Sequence, residues 1–237
     1  MATILRDLSY RYQWLYDAIS RIAALSVGGE ARFRQLALQG LTIGSDTKIL
    51  DLCCGSGQTT QFLIQYSQDV TGLDASPLSL KRAKKNVPSV QYIEAFAEEM
   101  PFPDNYFDLV HTSVAMHEMQ PMQLQQILQE VYRVLKPEGI FTLVDFHRPT
   151  NPIFWPGVAV FFWLFETETA WQLIETDLTN LLSEVGFDVG LSRSNSSASV
   201  PQQPALYAGG SLQVIQAKKL GSDRAIFSSP KMLNNKN

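Results

Sequence analysis

From Lys48 onward the chain alternates short apolar runs with amphipathic ones, and this order most limits the folds open to it. "KILDL" reads as a strand and "QTTQFLIQY" as a helix. "DVTGLD" is a strand, followed by the helix "SPLSLKRAKKN" with Ser76 as N-cap and Pro77 at its first position. "VQYIEA" and "YFDLVHTS" are strands, "MQLQQILQEVYRVL" is a helix closed by "KPEGI", and "IFTLVDF" is a strand. Further on, "ETDLTNLLSEVGF" predicts a helix, and "DVGLSR" and "SLQVIQAK" predict strands. Such alternation predicts a mostly parallel sheet with helices on both faces, an α/β fold of Rossmann-like type. Two helices precede it. One spans 3–25, with Ile4, Leu8, Tyr12, Leu15, Ile19 and Ile22 at three- and four-residue steps; after Gly28–Gly29, "EARFRQLALQG" forms the second. A chain of 237 residues is expected to form one domain. Its expected parts are a helical cap over 1–45, a core over 46–146, an apolar insert over 147–180 and the remainder to 220, followed by a loose polar tail over 221–237.

In such a sheet, ligands sit beyond the carboxyl ends of the strands, and the first strand–helix turn is the usual cradle. Here that turn carries Gly55 and Gly57, which permit a sharp bend and close approach of a ligand to the main chain. The dinucleotide fingerprint asks for a third glycine where this chain has Thr60, which weakens a diphosphate reading. Asp74 ends the next strand, 23 residues after Asp51. An acid there accepts from both hydroxyls of a ribose, and Asp51 can meet an amino group. Two acids and two glycines suit a ligand with an adenosine and an ammonium but no phosphate, which describes S-adenosylmethionine. A formal net charge of -4 argues against a nucleic-acid partner. The adjacent Cys53 and Cys54 offer neither a disulfide nor metal-ligand spacing. With charged and aromatic residues throughout the first 17 positions, they point to a cytoplasmic chain without a signal peptide.

The segments "ILDLCCGSG", "VTGLDAS", "AEEMPFPDNYFDLV" and "RVLKPEGIFTLVD" together resemble, in order, the motifs of class I S-adenosylmethionine-dependent methyltransferases over about residues 46–146. Within them, "YDAISRIAALSVGGEARFRQ" and the "LDLCCGSG" spelling, with Cys53 in place of the first glycine, are similar to the quinone C-methyltransferases. The resemblance implies a seven-stranded sheet whose last strand is antiparallel. It also implies S-adenosylmethionine as cofactor, S-adenosylhomocysteine as product and no metal. Carried over residue by residue, it implies that Gly55, Gly57 and Cys53 pass beneath the methionine part and ribose, and that Asp51 lies near the amino group. Asp74 would hold the ribose, and Ala75 and Ser76 would lie against adenine. Phe96 falls where the family usually has an acid; it either packs on the purine, leaving the Ala97 N–H for a ring nitrogen, or belongs to the core. Ser113 would face the methionine part through its main chain, and Tyr16 would touch the methionine end.

The acceptor side is less legible. His111 lies inside a strand and reads as buried, whereas His117 and His147 follow strand ends and are candidates for an acceptor-side base or positioning group. Glu118 reads as a solvated or helix-capping carboxylate. Between Arg148 and Glu166, "PTNPIFWPGVAVFFWLF" carries no charge. It is shorter than the ~20 apolar residues of an ordinary membrane span. Three readings stand: a core helix, a lid over an apolar acceptor, and, for residues 150–165, a peripheral membrane contact. Together these features predict a methyltransferase acting on a small, lipophilic acceptor such as a prenylated quinol. The alternatives are O- or N-methylation of a small aromatic metabolite, an NAD-dependent oxidoreductase, and a non-catalytic domain that binds the cofactor or a partner. The oligomeric state is left open.

Overall fold

The structure, a computed structural model, describes residues 21, 24–189 and 204–221. The expected first helix apart from Arg21, Ala24 and Leu25, and the expected tail apart from Gly221, lie outside them. At the centre is β1 (Ile49–Leu52), all four residues buried, parallel to β2 (Val70–Asp74) on one side and β4 (Phe107–Ser113) on the other. Beyond β2 lies β3 (Gln91–Glu94), and beyond β4 lies β5 (Leu135–Phe146), both parallel to their neighbours. The long β8 (Leu212–Lys219) runs antiparallel to β5, and β6 (Phe187–Asp188) pairs antiparallel to β8. The row reads β3-β2-β1-β4-β5-β8-β6, and β7 (Ala205–Tyr207) pairs with β8 off that row. The expected seven-membered row with an antiparallel late strand is therefore present, with β7 as an addition. The strand expected from "DVGLSR" begins one residue early, and only Phe187 and Asp188 of it pair among the described residues.

The chain winds outward from β1 to β3 and then returns to lay β4 beside β1. Crossovers on the two sides of this reversal diverge and leave a crevice at the carboxyl ends of β1 and β4. Helices cover both faces: α1 (Glu30–Gln35), α2 (Thr60–Leu63), α3 (Pro77–Asn86), α4 (Pro121–Val134), α5 (Trp155–Phe165), α6 (Glu168–Glu175) and α7 (Leu178–Val185). Ser76 caps α3 by accepting from the Ser79 N–H at 3.2 Å, with Pro77 at the first position, as the sequence predicts. On α4, Leu124, Ile127, Leu128, Val131 and Val134 make one buried stripe against the sheet. On the other face, Leu80 and Ala83 of α3 pack with Ile49, Leu63 and Val70.

Three elements depart from the pattern reading. "EARFRQLALQG" tightens after Gln35 into a 3₁₀ turn, Leu36–Leu38. "QTTQFLIQY" is helical only over four residues, because the chain turns off toward β2. "ETDLTNLLSEVGF" divides, with Glu175 ending α6 and Asp177 opening α7 by accepting from the Asn180 N–H at 3.0 Å. The core-helix reading of the apolar insert also fails, since α5 buries only Phe162 and leaves Trp163 73% exposed.

The packing at Gly72 gives a direct test of the core. A Cβ built there would lie 2.6 Å from Tyr92 Cδ1 and 3.0 Å from Cys54 Sγ. Gly72→Ala is expected to lower the unfolding free energy by about 1–3 kcal/mol through overpacking, measured by urea denaturation, and Gly72→Ala combined with Tyr92→Leu is expected to recover part of the loss.

Candidate active site

The crevice holds a cleft of about 360 Å³. Its floor is the turn after β1, where Cys53, Gly55 and Gly57 all take left-handed backbone angles (φ 57°, 55° and 81°). Alternate positive φ values coil the chain tightly enough to aim its amides at the end of β2, and a glycine removes the Cβ penalty wherever one is used. The two glycines serve different ends. A Cβ on Gly55 would meet no protein atom within 4 Å, and Gly55 lines the cleft. A Cβ on Gly57 would meet Ala83 Cα, Ala83 Cβ and the Tyr92 hydroxyl, each at 3.4 Å. Gly57 thus turns the chain at its φ of 81° with α3 at van der Waals distance, and Gly55 opens the cradle.

Asp74 is held by the same turn. Its Oδ2 accepts from the Gly55 N–H at 2.9 Å and its Oδ1 from the Ser76 N–H at 2.8 Å. The carboxylate faces the cleft beside Ala75 and Ser76, and each oxygen keeps a second lone pair for a hydroxyl of a bound ribose. Farther in, Asp51 is fully buried and accepts from the Thr60 hydroxyl. Burial pushes its carboxyl up to about 7, against the lowering pull of Thr60 and of the Arg34 guanidinium. Burial also pushes the Cys53 and Cys54 thiols well up, so neither acts as a thiolate. Asp51 begins a polar row across one face of the sheet, in register with His111, Thr142 and Gln216 on β4, β5 and β8. His111 Nδ1 lies 2.8 Å from the Thr142 hydroxyl, and burial, with the nearby Arg34, lowers its imidazole to about 3, so the ring is neutral. Gln216 Nε2 donates to the carbonyls of Ala37 and Gln39, both at 2.9 Å, which pins the segment after α1 over this row.

The opposite wall is built around Asp145, fully buried near the end of β5. Its carboxylate accepts from the N–H groups of Ala115, Met116, His117 and Phe146, at 2.8–3.3 Å, and from His117 Nδ1 at 2.8 Å. The other ring nitrogen, Nε2, lies 3.5 Å from Glu118 and 3.5 Å from Glu166. Burial alone would lower the His117 pKa; Asp145, then Glu118 and Glu166, outweigh it and hold the ring well above its ordinary value, as an imidazolium. With Nδ1 tied to Asp145 and Nε2 facing two carboxylates, the ring is held in one orientation, as a positioning group would be. Among the described residues, His117, Glu118 and Glu166 are the group whose spacing would admit a metal ion. Glu118 lines the cleft rather than capping a helix in solvent.

The remaining expected residues fall in three groups. Ser113 lines the cleft, as do Arg34, Glu118 and Met119, which pattern reading did not pick out as site residues. His147 is drawn away, its Nδ1 2.9 Å from the Gly210 carbonyl at the β5–β8 junction, so its acceptor-side role is not supported. Phe96 is 65% exposed, which rules out a core role and leaves a free aromatic face beside the β2 and β3 ends, while Ala97 is buried. Tyr16 lies outside the described residues. A signal for two of the missed groups was present. Arg34 sits at helical spacing with the buried Ala37 and Leu38, and Asp145 is the one charge in the run "IFTLVDF".

Residues 49–139 match the family described as "Methyltransferase domain". An uncharacterized methyltransferase of Synechocystis sp. is 57% identical over 218 residues, 92% of this chain and 97% of that protein. The demethylmenaquinone methyltransferase of Lactobacillus johnsonii is 31% identical over 168 residues, 67% of each chain. A crystal structure of a SAM-dependent methyltransferase from Aquifex aeolicus superposes with a TM-score of 0.57 at 16% identity, covering 84% of this chain and 98% of that one, and shares the fold.

Two measurements probe this geometry. Asp74→Ala removes the carboxylate and unties Gly55 and Ser76; it is expected to weaken S-adenosylmethionine binding by about 1.5–3 kcal/mol in calorimetry, and unchanged affinity in a folded variant would reject the ribose role. Asp145→Asn is expected to cost about 3–5 kcal/mol of stability, because it breaks a buried ion pair. Because the folded pKa of His117 is raised, that contribution is complete below its unfolded value of about 6.5 and fades as pH rises through the folded one. Urea titrations of wild type and variant should therefore converge toward alkaline pH; a constant gap would mean a neutral ring.

Proposed function

The chain belongs to the class I S-adenosylmethionine-dependent methyltransferases, and we propose that within them it methylates a small lipophilic acceptor, a prenylated quinol. The oxidoreductase alternative falls with the family. The residues present fit the cofactor: Gly55 opens its cradle, Asp74 presents its carboxylate oxygens to the cleft beside Ala75 and Ser76, and Asp51 and Arg34 line the same cleft with hydrogen-bonding groups suited to an amino-acid part. The sulfonium supplies an electrophilic methyl group and a neutral thioether leaving group, so the protein's task is alignment, which is worth about 7–11 kcal/mol when the reacting atoms are held in line.

The observation that carries the acceptor class is the aromatic chain from α5 to His117. The Phe146 ring lies 4.6 Å from the His117 ring, tilted against it by 51°, and Phe162 and Phe161 lie 5.0 Å and 6.0 Å from Phe146. An uncharged helix thus approaches the cleft wall that carries Glu118 and Met119. This supports a lid that receives an apolar body beside a carboxylate. Glu118, on the cleft, takes the hydroxyl proton that makes the ring electron-rich, and His117, locked by Asp145, holds Glu118 in place. The outward side of the same helix, with Val160 and Trp163, and the preceding turn, with Ile153 and Phe154, are exposed. No helix among the described residues is long and apolar enough to cross a membrane, so contact with a bilayer would be peripheral. The relative from Lactobacillus johnsonii, named for demethylmenaquinone, supports the quinol class.

Transfer of labelled methyl from S-adenosylmethionine to a short-chain demethylmenaquinol, with naphthols and aryl amines for comparison, tests the reading. Turnover confined to amines would overturn it. Phe161→Ala is expected to raise the quinol KM about 2- to 10-fold, the worth of one aromatic pair, with cofactor affinity unchanged.

A further inference from the structure

We propose that the isoprenoid chain of the acceptor lies in an apolar groove between helix α4 and helices α6 and α7, past Met119, so that ring and chain are held by different parts of the molecule. The inference rests on the quinol reading above. The groove is distinct from the cofactor cleft and holds about 260 Å³. That is below the roughly 300–1,000 Å³ of a site for a whole small ligand, and it suits one part of a larger one. Leu124 of α4 and Leu173 of α6, each 3% exposed, supply its buried wall. Met119 and Leu181, partly buried, pack against the same core. Among the described residues, none that lines the groove is charged.

Met119 joins the two spaces. It lines the groove and also the cofactor cleft, one residue after Glu118, which lines the cleft. A chain leaving a ring at Glu118 therefore meets the groove at the next residue, where an unbranched thioether can yield to it. At the other end Met122, in the first turn of α4, lines the groove and is 79% exposed, which extends the apolar surface that a chain can cover. The Thr176 hydroxyl is turned away, donating to the Gln172 carbonyl at 2.8 Å. One wall atom is unfavourable to an alkyl chain: Gln172 Oε1 is buried without a hydrogen-bond partner, and a chain offers none. Its replacement by an apolar group should therefore strengthen the binding of a chain.

Equilibrium binding of oxidised 1,4-naphthoquinones to the protein saturated with S-adenosylhomocysteine isolates the chain from turnover. The ligands carry no chain, two isoprene units or four. Wild type is expected to bind the two-unit quinone about 10- to 100-fold more tightly than the bare ring, from the apolar groups buried. Two further units should add less than about 2-fold, because the chain has then passed Met122. Met122→Asp sets a charge at the rim, and the first turn of a helix accepts an aspartate well, so the fold should hold. It is expected to cut the preference for the chain about 3-fold or more, and Gln172→Leu to increase it. Three results would overturn the proposal: equal binding of bare and prenylated rings, an undiminished preference in folded Met122→Asp, or a lowered one in folded Gln172→Leu. The labelled-methyl assay keeps the two readings apart. Turnover of bare and prenylated naphthoquinols with equal KM would remove the groove and leave the quinol standing as acceptor. Chain-dependent binding without turnover of any quinol would remove the quinol and keep the groove as a chain site.

Discussion

Burying a carboxylate is costly unless its lone pairs are met, and Asp145 has them met by four backbone N–H groups and the His117 ring. Three of those N–H groups belong to consecutive residues, Ala115 to His117, which leave β4 after the left-handed Val114. The carboxylate therefore stands in for the strand that β4 no longer pairs with. It fixes the path of the segment that forms one wall of the cleft and delivers Glu118 to its lining. Without this anchor the wall would have no reason to turn where it does.

The cofactor floor is organised by a similar economy. Positive φ at alternate residues from Cys53 to Gly57 turns the chain so that the Gly55 amide reaches Asp74. The floor is backed by polar side chains in register across four strands, from Asp51 to Gln216. Within the row His111 Nδ1 meets the Thr142 hydroxyl, while Asp51 and Gln216 find their partners outside it, in Thr60 and two backbone carbonyls. Through Gln216 it also ties the segment after α1, at Ala37 and Gln39, to the sheet.

The two sides of the cleft differ in chemistry. On the cofactor side, backbone amides and two aspartates present hydrogen-bonding groups at short range. Beyond Glu118, an aromatic series from Phe146 to Phe161 leads from the buried His117 ring to an uncharged helix.

By itself the sequence determined the sheet, most of its helices and the glycine turn after β1 with an aspartate on either side of it. Those features are local: a strand, a glycine turn and a capped helix are written within a dozen residues, and each is decided by backbone sterics and hydrophobic period. Tertiary structure decided the packing roles of Arg34, Asp145, Glu118 and Glu166, and gave Gly57 and Gly55, and His147 and His117, different surroundings. These roles depend on pairs of residues far apart in the chain. His117 meets Asp145 across 28 positions, and Arg34 meets Gln58 across 24. No local pattern encodes which carboxylate will share a buried space with which base. That choice is made when the strands pair and the charges find themselves without water, where only mutual satisfaction keeps them inside.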